Sequence, residues 1–253
     1  MTTAVVLAAG RGTRMGSLTA AMPKPLLPVA GRALIEHVLG ALAAAGVRRA
    51  VVVTGYLGEQ IETALGDGAR LGLSIGYCRQ EGRDGTARAL LQAESLIGGA
   101  PFVVSWGDIL VPPAFYAELL SDFAARPCDA ELAVNQIDDP WQGAAVYLDA
   151  SGRVTRLEEK PPRGTSTTQW NNAGVMCFTA AIFDYARRLA PSSRGEYELP
   201  QAVAAMVRDG RTVRALPVRG YWSDVGTPAD LAAAERQIAA HGAGDVPAER
   251  RDA

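Results

Sequence analysis

Apolar residues in this chain fall into short runs separated by stretches of helical spacing. Ala4–Ala8, Ala50–Thr54, Leu73–Tyr77 and Phe102–Ser105 are largely uninterrupted apolar runs, as expected of strands covered on both faces. Between and after them, Arg32–Ala45, Gly58–Leu65, Thr86–Ile97 and Pro113–Ala125 carry apolar positions three and four apart. The first of these sets Leu34, Ile35, Val38, Leu39 and Leu42 on one face. This alternation predicts a parallel sheet with helices on both faces. Ligands of such sheets sit at the carboxyl ends of the strands.

The second half is more mixed. Strands are predicted at Ala130–Asn135, Ala144–Leu148, Val154–Glu158, Ala173–Phe178 and Val213–Pro217, and helices at Ala180–Leu189, Leu199–Arg208 and Pro228–Ala240. No polar linker divides the halves, so residues 1–240 are expected to form one catalytic domain. The polar stretch 241–253, with Gly, Pro and charge, is expected to fray.

Composition narrows the classes. A chain of 253 residues with 48% hydrophobic content can bury a substantial core. A net charge of −2 offers no basic surface for nucleic acid. Cys78, Cys128 and Cys177 lie far apart among apolar neighbours and are expected as buried thiols, and His37, on the first helix, as a structural residue. No apolar stretch reaches membrane-spanning length and the start lacks a signal-peptide pattern, so a cytoplasmic protein with no membrane partner is expected.

The chemistry begins where the first strand ends. Leu7-Ala8-Ala9-Gly10-Arg11-Gly12-Thr13-Arg14-Met15 leads into Pro23-Lys24-Pro25. Glycines let the backbone turn and aim N–H groups one way, and Arg11, Arg14 and Lys24 add fixed positive charge. A triphosphate needs that combination. No Gly-Lys-Ser/Thr follows, so this is not a P-loop. No third glycine opens a helix either, which disfavours a nicotinamide-dependent oxidoreductase. Asp108, after Trp106-Gly107 at the end of a strand, and Asp224, in Trp222-Ser223-Asp224-Val225-Gly226-Thr227-Pro228, are each placed either to cap a turn or to hold Mg²⁺ beside phosphates. Gln80, whose amide can both donate and accept, and Gly85, beside an approachable backbone N–H, suit the edge of a uracil or thymine. The same stretch could simply lead into a helix capped by Thr86.

The first loop, together with Pro23-Lys24-Pro25-Leu26-Leu27-Pro28-Val29, resembles the signature of sugar-1-phosphate nucleotidyltransferases. The likeness runs from about Ala4 to about Ala240 and is strongest at the first and last motifs. Gln80-x-x-x-x-Gly85-Thr86-Ala87 is similar to the glucose-1-phosphate thymidylyltransferase and uridylyltransferase branches. The resemblance implies a Rossmann-like, three-layer α/β fold of GT-A type with a mixed, mostly parallel central sheet. It also implies a set of roles. Leu7, Ala8, Ala9, Gly10, Gly12, Thr13, Gln80, Gly85 and Thr86 would hold the nucleotide. Arg14, Lys24 and Arg11 would act on its phosphates, and Asp108 and Asp224 would bind Mg²⁺. The Glu158-Glu159-Lys160-Pro161 stretch resembles a motif in which the acid, here Glu159, holds sugar hydroxyls and the lysine, here Lys160, holds the sugar phosphate. Asn172, in Asn172-Ala173-Gly174, and Gly143, after Trp141-Gln142, match further sugar-contacting positions.

Three residues depart from the pattern. Asp84 replaces an apolar residue before Gly85, Trp141 differs from the usual aromatic, and Trp106 is unusually bulky. The expected partners are a nucleoside triphosphate, with UTP or dTTP favoured, and a sugar 1-phosphate; homo-oligomerisation is left open. Two alternatives stand beside this. One is a guanylyl- or cytidylyltransferase, including one with a non-sugar phosphate or phosphonate acceptor. The other is a non-catalytic, nucleotide-sugar-binding regulatory subunit, against which the presence of Arg14, Lys24, Asp108 and Asp224 argues.

Overall fold

The structure is a computed structural model that describes residues 2–82 and 84–241; the predicted fraying tail lies, from residue 242 onward, outside them. A nine-stranded sheet runs through the middle. Its strands are β1 (Thr3–Ala8), β2 (Arg49–Thr54), β3 (Ser74–Arg79), β4 (Phe102–Trp106), β5 (Ala130–Gln136), β6 (Ala144–Leu148), β7 (Val154–Glu159), β8 (Trp170–Phe178) and β9 (Val213–Pro217). β3, β2, β1 and β4 lie side by side and parallel, as the first-half pattern predicts. The sheet then turns mixed. β8 runs antiparallel to β4 and to β5, and β9 adds to β5 in parallel. β6 and β7 form an antiparallel pair joined to the first part of β8 through Asn171 opposite Ala145.

The strands are apolar on both faces because both are covered. Ala4, Val6 and Ala8 of β1 pack into one core with helices α1 (Leu34–Ala44), α2 (Gly58–Leu65), α5 (Pro113–Ala125) and α8 (Pro228–His241). Val5 and Leu7 face the other core, formed with α3 (Thr86–Gln92), α4 (Glu94–Ile97), α6 (Ala181–Arg187) and α7 (Leu199–Arg208). Alternate residues of one strand thus feed two hydrophobic layers, giving the three-layer α/β architecture.

Several predicted boundaries move. The first helix begins at Leu34, not Arg32, because Arg32–Ala33 pairs as a short strand with Pro28–Val29, and Glu36 reaches back to the Ala33 N–H at 3.3 Å. The third predicted strand shifts from Leu73–Tyr77 to Ser74–Arg79, in parallel register with β2. The helix predicted over Thr86–Ile97 breaks at the fully buried Ala93, whose N–H bonds to Leu90 O at 3.0 Å, one residue tighter than an α-helix. The strand predicted over Ala173–Phe178 starts at Trp170, and Gly174, at φ +80°, marks an irregularity in its pairing with β5. Cys177 is buried, whereas Cys78 and Cys128 are half-buried; all three are free thiols. No helix among the described residues is long and apolar enough to cross a membrane.

Candidate active site

The carboxyl ends of β1 and β4 open onto a cleft of about 210 Å³ whose lining includes Leu7, Ala8, Gly10, Gly12, Thr13, Arg14, Lys24, Gly107 and Asp108. The loop after β1 reverses at Gly12, at φ +66°, where a Cβ would stand 2.9 Å from Lys24 Cβ. Glycine is required there for both reasons. Thr19 donates its hydroxyl hydrogen to Gly12 O at 3.0 Å, and the buried Met15 anchors the turn beneath. The loop is therefore rigid at its base and exposed at Arg14.

Lys24 and Asp108 form an ion pair inside the cleft, with the lysine side chain 10% exposed. Asp224 arrives from far along the chain. The short strand Ser223–Asp224 pairs antiparallel with Ile109–Leu110, and Val225 donates its N–H to Asp108 O at 3.1 Å. That pairing brings the second carboxylate to the first. Burial, then the charge of Asp108, pushes the Asp224 carboxyl up to about 6, while Lys24 and Arg14 oppose the rise. Arg14 reaches the same corner: a Cβ on Gly226 would lie 2.8 Å from its Nη2. Asp230 ties that turn down by accepting from Gly226 N and Thr227 N at 3.2 and 2.7 Å. Arg11 lies outside this corner, over the ring of Tyr56 at 5.1 Å, and Ala9 packs instead against Gly55.

The predicted acceptor residues form a second group. Lys160 adopts the left-handed backbone conformation, φ +45°, and its N–H donates to Gly143 O at 2.7 Å. Such a conformation in a lysine costs about 1–2 kcal/mol and needs surrounding structure to hold it. It sets Nζ 3.8 Å from Glu159 and 3.7 Å from Glu198. Arg194 pairs with Glu198 and comes within 3.7 Å of Glu159. Burial, then Glu198, raises the Glu159 carboxyl to about 7 against the pull of Lys160 and Arg194. No motif marks the segment Arg194-Gly195-Glu196-Tyr197-Glu198 in the sequence; its charge density beside a helix start is its one local signal.

The stretch expected to read the base, Gln80–Thr86, is stitched to this second group. Tyr197 N–H donates to Asp84 O at 2.7 Å and Ala87 N–H donates to Tyr197 O at 2.8 Å. Gly85 is needed because a Cβ there would stand 2.4 Å from Tyr197 O. Thr86 does not cap its own helix: its hydroxyl oxygen accepts from Leu199 N at 2.8 Å, at the start of α7. Asn172 is also used differently from expectation. It is 4% exposed, lies within β8 rather than in a turn, and accepts from Gly174 N at 3.2 Å. Gly143 is instead approached by Asn171, whose Oδ1 would be 2.1 Å from a Cβ at that glycine. Trp106 packs over Gly174 in the core, and Trp141 is exposed beneath Arg163.

The sequence profile of the family described as nucleotidyl transferase matches residues 3–241. The chain belongs to this family, among the sugar-1-phosphate nucleotidyltransferases. It is 34% identical to the glucose-1-phosphate thymidylyltransferase of Streptomyces griseus over 93% of its own length, but spans 65% of that relative. It is 35% identical to the UTP–glucose-1-phosphate uridylyltransferase AglF of Haloferax volcanii, covering 93% of this chain and 96% of that one. A structure from Bacillus anthracis, assigned as a glucose-1-phosphate thymidylyltransferase and solved with a sucrose, matches with a TM-score of 0.85 at 25% identity, over 93% of this chain and 94% of that one. In this chain, then, cations and paired carboxylates share the cleft at the strand ends, and the Glu159–Lys160 group is joined to the Gly85 stretch through the neighbouring Tyr197 and Glu198.

Proposed function

We propose that this chain transfers a nucleotidyl group from UTP or dTTP to a sugar 1-phosphate, yielding a nucleotide sugar and pyrophosphate. The observation that carries the reading is the convergence of Arg14, Lys24, Asp108 and Asp224, drawn from distant parts of the sequence, at the mouth of one cleft. Thymidylyl- and uridylyltransferase relatives support the choice of substrates.

An oxygen of the sugar 1-phosphate attacks the α-phosphorus in line, the new P–O bond forms, and the bond to the β-phosphate oxygen breaks. The nucleophile is already an anion at neutral pH, so no general base is needed. The barrier lies in bringing two anions together and in stabilising the leaving charge. Arg14 and Lys24 neutralise the triphosphate, and Arg11, held over Tyr56, adds charge at the leaving end. Gly10, Gly12 and Thr13 supply backbone contacts. Gln80 accepts the N3–H of the base through its side-chain oxygen.

Asp108 and Asp224 fit a magnesium ion. A buried carboxylate whose proton affinity a neighbouring carboxylate raises is what a divalent cation relieves, and Mg²⁺ takes its remaining ligands from phosphate and water. Held by Asp108 and Asp224, the ion would neutralise the phosphate charge that builds as the transfer proceeds. At the acceptor, Lys160 and Arg194 orient the sugar phosphate, while Glu159 and Glu198 accept from its hydroxyls.

The test is pyrophosphate release with Mg²⁺, crossing UTP, dTTP, GTP, CTP and ATP with a panel of sugar 1-phosphates. Release with UTP or dTTP and one sugar is expected; silence with every pair would remove the reading.

A further inference from the structure

A buried amide where the β6–β7 hairpin meets the sheet has an oxygen with no hydrogen-bond partner. Asn171 is 3% exposed and stands in β8 opposite Ala145, the register pair that joins this hairpin to β8. Both hydrogens of its amide nitrogen are engaged: Nδ2 donates to Asn135 Oδ1 and to Asn172 O, each at 3.0 Å. Asn172 O is a backbone carbonyl and only accepts, so the amide cannot turn over. Its oxygen is buried and receives no hydrogen bond among the described residues. A buried carbonyl left so costs stability, and its retention needs a reason. That Oδ1 lies 2.1 Å from where a Cβ on Gly143 would stand, so what it faces is the Gly143 Cα–H. The φ of Gly143 is not in the left-handed region, and the three heavy atoms nearest that Cβ all belong to Asn171. Space taken by Asn171, not backbone conformation, is what forbids a side chain at 143.

We infer that Asn171 is a positioning residue for the acceptor sugar phosphate, acting through Gly143 on Lys160. This rests on the transfer reading above. Gly143 leads into β6 and Lys160 follows β7, at the open end of one hairpin. Gly143 O receives the Lys160 N–H at 2.7 Å, and this contact holds the left-handed lysine whose Nζ lies between Glu159 and Glu198. The Asn171 amide forms the floor beneath. Its two hydrogen bonds fix the oxygen, the oxygen fixes the closest approach of Gly143, and Gly143 fixes the height of Lys160 over β8. A shorter side chain would open a gap into which the turn Pro140–Gly143, closed by Gly143 N–H on Pro140 O at 3.1 Å, can sink. The Lys160 ammonium would then miss the acceptor phosphate, while the cleft at the ends of β1 and β4 keeps its shape. An asparagine that only tied β8 to β5 would do so through Nδ2 and would need no glycine above its oxygen.

The experiment measures pyrophosphate release from UTP and glucose 1-phosphate on the wild type, Asn171→Ala, Gly143→Ala, the double variant and Asn135→Ala. Asn171→Ala should raise KM for glucose 1-phosphate about tenfold or more and leave KM for UTP within about threefold. Gly143→Ala should lower kcat/KM for the acceptor about a hundredfold or more by itself, but less than about tenfold in the Asn171→Ala background, where the Cβ has room. Asn135→Ala removes the bond between strands yet leaves Oδ1 held through Asn172 O, so its acceptor KM should stay within about threefold of the wild type. Equal rises in both KM values for Asn171→Ala, additive effects at 171 and 143, or an Asn135→Ala variant as impaired as Asn171→Ala each overturn the inference. If no release occurs, the transfer reading fails separately, and calorimetric titration of UDP-glucose and UTP on the same five proteins decides. The inference then requires the weakening and the coupling in UDP-glucose affinity and not in UTP affinity; a wild type that does not bind UDP-glucose overturns it. If Asn171→Ala does not fold by circular dichroism, Asn171→Ser replaces it in every comparison.

Discussion

Lys24 and Asp108 meet as an ion pair within the cleft, one from the Pro23-Lys24-Pro25 turn and the other from the end of β4. The carboxylate assigned to metal and the lysine assigned to phosphate therefore neutralise one another before substrate arrives. Lys24→Met is expected to lower kcat by about a hundredfold or more. It should also lower stability, since Asp108 would lose its partner beside the already crowded Asp224. Steady-state kinetics and a thermal melt on the same preparation check both effects.

Arg14 behaves differently because it is exposed and no hydrophobic packing depends on its guanidinium. Arg14→Ala should lower kcat/KM by orders of magnitude with little change in melting temperature. Near-normal turnover would exclude Arg14 from the chemistry.

Gly226→Ala offers a gentler test of the same contact. The new methyl would fall within 2.8–3.1 Å of the Arg14 guanidinium, the far end of a flexible side chain. Arg14 can move away at little cost to the fold, so kcat should fall about tenfold or more while the melting temperature holds. A large loss of stability would instead locate the problem in the turn held by Asp230.

Glu159 makes stability depend on pH. Its carboxyl is raised to about 7 in the folded chain from a usual 4.5, mainly by burial. The folded state therefore binds more protons than the unfolded state between these values. The contribution is fully present below about 4.5 and is lost as pH rises through about 7. Removing it costs on the order of 3 kcal/mol by neutral pH. Glu159→Gln should flatten the fall in denaturation midpoint between these two pH values; an unchanged slope would reject the buried-acid account.

Thr86 and Leu199 link the start of α3 to α7 through one hydrogen bond of 2.8 Å. Thr86→Val keeps the shape and removes the acceptor, leaving a helix-start N–H unpaired. A loss of about 1–2 kcal/mol is expected by urea unfolding. Thr86→Ser, which keeps the oxygen, should restore most of it.

Much of this was legible in the chain. Uninterrupted apolar runs at Ala4–Ala8 and Ala50–Thr54 announce strands covered on both faces, and they are. Gly10, Gly12, Thr13 and Arg14 and the acids Asp108 and Asp224 are expected to belong to one site; the cleft contains the first four with Asp108, and β-pairing brings Asp224 beside it. Periodicity could not foresee that Arg32–Ala33 would leave the first helix for a short strand, nor that Asn172 would turn inward within β8.

The sequence by itself determined the strands and helices and the types of charge carried at the strand ends, because burial on two faces and a glycine-rich turn each leave a local pattern. Tertiary structure alone decided which distant groups meet. Asp224 reaches Asp108 only through the pairing of Ser223–Asp224 with Ile109–Leu110, and Gly85 lies against the Tyr197 backbone only because two hydrogen bonds hold Tyr197 to Asp84 and Ala87. Such contacts join residues more than a hundred positions apart, and no local periodicity records a partner at that distance.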